Sequence, residues 1–143
     1  MPNSGHWFVS RSTPHAESQI VADRPCRFGN ARRLHPDARV PARAHAWDAG
    51  LDLACVEGVT VPARGRAEAR TGLAIAVPEG WGGLVLPRSG LARAHGVTVT
   101  NAPGLIDAGY RGEVVVLLVN HGDEDVSLEA GSRVAQLVLG RVW

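Results

Sequence analysis

"NAPGLIDAGYRGEVVVLLVN", residues 101–120, joins two kinds of sequence. The second half, "EVVVLLVN" (113–120), is a β-branched apolar run that ends on a polar residue, and this pattern predicts a strand. The first half places one carboxylate, Asp107, and the chain's only tyrosine, Tyr110, among Gly104, Gly109 and Gly112. Glycine at such a tip lets main-chain N–H and C=O groups come close to a ligand. The stretch therefore predicts a hairpin tip with a recognition function ahead of a core strand.

Outward from that strand the same pattern repeats. "LDLACV" (51–56), "GLAIAVP" (72–78), "GGLVLP" (82–87), "VTVTN" (97–101), "VSLEA" (126–130) and "RVAQLVL" (133–139) are short apolar runs punctuated by Gly and Pro. Strand candidates at this spacing predict an all-β domain: a sandwich, jelly roll or barrel. One stretch, "RSGLARAH" (88–95), reads as a helix of one or two turns with Ser89 as its N-cap. A helix start offers free N–H groups and a positive dipole end, so Arg88, Ser89 and Gly90 form a candidate phosphate cradle.

Composition narrows the class. A chain of 143 residues with 45% apolar content is long enough for one domain with a real core. The formal net charge of +1 provides no field that would favour nucleic acid or an anionic membrane as the main partner. All 15 basic residues are arginine, which fits coding bias better than phosphate recognition. Cys26 and Cys55 lack CxxC spacing, and the histidines His6, His15, His35, His45, His95 and His121 are scattered, so the residues predict neither a disulfide framework nor a zinc site. A reducing, cytoplasmic location follows. The start "MPNSGHWFVSRSTPHAESQ" has neither a basic n-region nor an apolar h-region. Residues 1–27 read as a mobile extension or an overcalled start, with a β domain over 28–143. Trp7, Trp47, Trp81 and Trp143 read as packing or surface residues.

Four segments carry more than their individual patterns. "DAGLDL" (48–53), "PRSGLA" (87–92), "GLIDAGYRGEV" (104–114) and "GSRVAQL" (131–137) follow one another at the order and spacing of the trimeric dUTPases, the deoxyuridine 5'-triphosphate nucleotidohydrolases. The chain resembles that family over about residues 34–140. The resemblance implies a distorted β-barrel or jelly-roll subunit, a homotrimer with active sites at its subunit interfaces, and Mg²⁺-dependent cleavage of dUTP to dUMP and pyrophosphate. By the same resemblance Asp107 is the carboxylate that accepts a proton from the attacking water, a role for which one fixed carboxylate suffices. The resemblance also implies that uracil is read by Asn101 and by the main chain around Gly104 and Ile106. A cytosine would leave buried groups unpaired there at about 1–3 kcal/mol each. Tyr110 resembles the tyrosine that packs on the deoxyribose and leaves no room for a 2′-hydroxyl. Arg88, Ser89, Gly90 and Gln136 fall to phosphate binding. Arg133 orders the interface, and Arg111 and Glu113 make structural bonds around the tip.

Asp52 lies between Leu51 and Leu53, so strand alternation turns it away from their face and it needs a partner. The resemblance gives it either an indirect hold on Mg²⁺ through water, in keeping with an ion that keeps its waters and is held by substrate phosphates, or the ordering of the phosphate-binding loop. The family continues past the "RVAQL" strand to a glycine-rich arm that closes over the nucleotide, whereas this sequence stops at "LGRVW". Without the arm, the resemblance implies lower turnover and a weaker trimer. A noncatalytic nucleotide-binding or regulatory protein on the same fold is the alternative. A dCTP deaminase-like enzyme is a more distant one, for which no catalytic glutamate is placed.

Overall fold

The computed structural model describes residues 30–142; the expectations for residues 1–27, for Cys26 and for Trp143 lie outside them. In chain order the elements are β1 (Ala31–Arg33), β2 (Leu51–Ala54), β3 (Val59–Val61), β4 (Arg66–Ile75), β5 (Trp81–Leu86), α1 (Ser89–His95), β6 (Val97–Val99), β7 (Gly104–Ile106), β8 (Glu113–Asn120), β9 (Val126–Leu128) and β10 (Arg133–Arg141). One antiparallel sheet runs β1-β4-β8-β6, a second runs β2-β10-β5-β7, and β3 pairs with β9 beside them. The all-β architecture with one short helix is the one expected from the sequence.

Strand β8 shows why the sheets close on each other. Val114, Val116 and Leu118 alternate inward and are buried, and they meet Leu53, Leu73, Ile75 and Leu137 in a single core. At its end Asn120 is 1% exposed, so its carboxamide needs partners. Its Nδ2 donates to the carbonyls of Val61 at 3.1 Å and Glu124 at 2.8 Å, and its Oδ1 accepts from the Gly122 N–H at 2.8 Å. The polar end of the run thus bolts β8 to β3 and to the following turn. Cys55 is buried and free, and no described helix is long and apolar enough to cross a membrane.

Two local expectations need correction. The helix N-cap is Arg88, not Ser89, and no side chain caps it; Ser89 is already the first helical residue. The stretch before β8 is not the tip of a hairpin. β7 pairs with β5 in one sheet and β8 pairs with β4 and β6 in the other, so residues 107–112 cross between sheets. Alternation predicts which residues form strands but carries no information on which strand each one pairs with.

Leu118 is fully buried in the middle of β8. Leu118→Ala is expected to lower the unfolding free energy by about 3 kcal/mol, the middle of the range for a buried leucine truncation. A urea titration that finds a loss under about 1 kcal/mol would contradict close packing of this core.

Candidate active site

Two clefts collect the residues singled out in the sequence, and the ladder β2-β10-β5-β7 explains both. In its register Gln136 lies opposite Asp52 on one side and opposite Leu86 on the other. Leu86 leads through Pro87 into Arg88, so segments far apart in sequence converge on one row. The cleft there has a volume of about 310 Å³ and is lined by Asp48, Gly50, Asp52, Arg88, Ser89, Gly90, Arg133 and Gln136.

Charge organises this cleft. Asp52, with a side chain 24% exposed, lies between two guanidinium groups: Nη1 of Arg133 is 3.1 Å from Oδ2, and Nε of Arg88 is 3.6 Å from Oδ1. Arg88 also donates from Nη1 to the Arg133 carbonyl at 2.9 Å. One carboxylate thus holds two cations in place and leaves the trio net positive, which suits an anion. Ser89 and Gly90 add the N–H groups of the first turn of α1, which have no intrahelical acceptor. Gln136 donates from Nε2 to the Pro87 carbonyl at 2.9 Å and so ties β10 to the start of that turn. Its carboxamide lies so close to Gly50 that any Cβ at that position would overlap Oε1. Asp48 closes the neighbouring loop, with Oδ2 accepting the His45 N–H at 2.8 Å and its carbonyl accepting from Nε of Arg43 at 2.7 Å.

The second cleft, about 240 Å³, lies at the β7 edge and is lined by Val85, Val99, Asn101, Gly104, Ile106, Tyr110 and Glu113 among others. The Asn101 carboxamide packs beside Gly104. The Tyr110 hydroxyl donates to the Glu113 carbonyl at 2.7 Å, and the Glu113 carboxylate is held by Arg70. The hydrogen bonds it donates to Glu113, then the charge of Glu113 and that of Glu57, hold the Arg70 guanidinium above its ordinary pKa. Arg70 was not singled out in the sequence, because its partner lies 43 positions away and no local pattern joins them.

The two clefts share no lining residue. Gln136 and Leu86 stand on one face of their sheet, whereas Val85, opposite Gly104, stands on the other. Asp107 lines neither cleft; it is exposed at the start of the crossing. Its carboxylate has no hydrogen-bond or ion-pair partner among the described residues, and its carbonyl accepts the Tyr110 N–H at 3.0 Å.

No described group of three or more His, Cys, Asp or Glu side chains could hold a metal ion by itself. The two carboxylates of the larger cleft, Asp48 and Asp52, already accept protein donors. That donor set fits a hard cation that arrives on a polyphosphate and keeps its waters; it does not fit a dedicated protein cage.

The antiparallel β domain thus carries an anion-suited cleft on one face of a sheet and a smaller, partly apolar cleft on the other. Comparison with known proteins gives the family. The dUTPase family model matches residues 37–142. The deoxyuridine 5'-triphosphate nucleotidohydrolase of Wolinella succinogenes is 51% identical over 110 residues, covering 77% of this chain and 74% of its own length. That of Thermobifida fusca is 49% identical over 139 residues, covering 94% and 78%. Among solved structures, an aspartate-to-asparagine mutant dUTPase from phage phi11 of S. aureus, described with a structural Mg(II) ion, superposes with a TM-score of 0.74 at 27% identity, covering 80% of this chain and 90% of its own. A Staphylococcus bacteriophage 80alpha dUTPase mutant with dUpNHpp gives the same TM-score, identity and coverage. The chain belongs to the dUTPase family.

The tight contact between Gly50 and Gln136 generates a test. Gly50→Ala is expected to push the carboxamide off the Pro87 carbonyl and to cost about 1–3 kcal/mol of stability, the scale of overpacking. An unchanged denaturation midpoint would show that the Gln136 side chain is free to move.

Proposed function

We propose that the protein hydrolyses dUTP to dUMP and pyrophosphate. The observation that carries this reading is the Asp107 carboxylate, exposed and without a partner among the described residues, on the crossing that follows Ile106 of the smaller cleft. An exposed carboxylate at a fixed position can accept a proton from water. In this mechanism Asp107 takes a proton from a water whose oxygen bonds to phosphorus, while the bond from phosphorus to the bridging oxygen between the α- and β-phosphates breaks and pyrophosphate leaves. The guanidinium of Arg88 and the N–H groups at Ser89 and Gly90 carry the phosphate charge, and Gln136 keeps their turn in place. Asn101 and the main chain at Gly104 and Ile106 read the uracil edge. Tyr110 covers the deoxyribose.

Mg²⁺ fits this scheme as an ion bound by the substrate phosphates, with Asp52 reaching it through water; when bound it neutralises phosphate charge. Asp52 keeps Arg88 and Arg133 aimed into the cleft in either case.

We further infer that the working site is shared between copies of the chain in a homotrimer. Opposite faces of one sheet are separated by the sheet itself, so a single nucleotide cannot lie in both clefts of one chain. The support is the placement of Val85 and Leu86, adjacent residues that belong to different clefts' faces. Tyr110, Leu105 and Leu117 beside the smaller cleft are exposed at 44%, 63% and 37%, which provides apolar surface for a neighbour.

The test is Mg²⁺-dependent pyrophosphate release from dUTP beside dCTP, dTTP and UTP. Release is expected from dUTP, with Asp107→Asn lowering kcat by about 10²–10⁴-fold, the usual contribution of a positioned base. Retained binding of dUMP with no release by the unmodified chain would favour the noncatalytic reading.

A further inference from the structure

We propose that Glu113, held by Arg70, is a positioning residue that fixes the ring of Tyr110 and so sets how strongly the site rejects a ribose 2′-hydroxyl. The inference rests on the dUTP reading and goes beyond it by naming the device that keeps the tyrosine in place.

The device begins at a break in the ladder. Arg70 pairs with Val115, but the next pair is Ala74 with Glu113, so residues 71–73 lie opposite Val114 alone. At such a break, main-chain groups lose their strand partners and need others. The Gly72 N–H donates to Oε1 of Glu113 at 2.8 Å, and the Thr71 hydroxyl donates to the Val114 carbonyl. Oε2 of Glu113 accepts from Nε of Arg70 at 3.2 Å and from Nη2 at 3.1 Å. The Glu113 side chain, 18% exposed, is therefore held on both oxygens by β4, with Glu57 steadying the far side of Arg70 at 3.4 Å. Charge-assisted bonds of this kind, partly shielded from water, fix the backbone that carries them.

That backbone is where Tyr110 is tied. The Glu113 carbonyl accepts the Tyr110 hydroxyl, and the ring folds back over Gly112 so closely that a Cβ there would lie 2.6 Å from Oη and 2.9 Å from Cζ. An exposed loop tyrosine ordinarily samples several rotamers. This one is pinned at the tip of its ring, the end farthest from its own backbone, while Glu113 and Tyr110 both line the smaller cleft. Loosening Glu113 frees the ring, and a freed ring no longer excludes one extra hydroxyl.

Tyr110 is the chain's only tyrosine, so protein labelled with 3-fluorotyrosine gives a single fluorine NMR resonance that reports on this ring. In Glu113→Gln and, separately, in Arg70→Met, that resonance is expected to move towards the value of free fluorotyrosine. The ratio of kcat/KM for dUTP to that for UTP should fall by about ten-fold, the scale of one misfitted group in a pocket. Arg70→Met acts from the exposed end of the pair and keeps the test open where Glu113→Gln fails to fold. Equal losses for both nucleotides, with the resonance unmoved, would mean a merely structural pair and overturn the inference. Discrimination in the unmodified protein that survives both substitutions overturns the positioning claim alone. An unmodified protein that neither cleaves dUTP nor binds dUMP more tightly than UMP overturns the functional reading and this inference together.

Discussion

The pairing of β5 with β10 on one side and β7 on the other is the constraint on which the rest of the structure depends. It sets Gln136 beside Leu86 and Gly104 beside Val85, and those two rows are one residue apart. Because strand side chains alternate, one residue of offset is a change of face. The anion-suited cleft therefore faces one way and the smaller cleft of Asn101, Gly104 and Tyr110 the other. On the proposed reading, a chain built like this holds its phosphate-binding and base-binding residues on opposite faces, and association of copies is what would bring them together.

Much of the fold was legible because it is written in alternation. "EVVVLLVN" is the strand Glu113–Asn120, and the expected inward and outward turns of Leu53 and Asp52 are found. Runs that are short or weakly apolar were less legible. β1 and β3 are three residues long, and the first half of β4 alternates Arg and Glu with Ala, a pattern that reads as solvent-exposed. The stretch before β8 has the sequence pattern of a hairpin, but nearness in sequence does not fix pairing, and the chain here crosses to the other sheet.

The site divides in the same way. Arg88, Ser89, Gly90, Asp52 and Gln136 were singled out by motif, and the structure gathers all five in one cleft with Arg133. Asn101, Gly104, Ile106 and Tyr110 gather in the other, and Asp107 stands outside both. No motif reveals that Asp52 is shared by two arginines, or that the Glu113 carboxylate replaces a missing strand partner; both facts arise from register between distant strands. Side-chain identity was local information, and partnership was not.

The central claim, that one chain's Asp107 works with another chain's Arg88, is tested most directly by mixing. Asp107→Asn and Arg88→Ala chains, each expected to be nearly inactive alone, are unfolded together, refolded as mixed assemblies and assayed for pyrophosphate release from dUTP. The account predicts activity well above either parent, because an assembly containing both chains rebuilds an intact site from an unmodified Asp107 and an unmodified Arg88. No gain over the parents, under conditions where the unmodified protein refolds to an active enzyme, would mean that each chain completes its own site and would contradict the account.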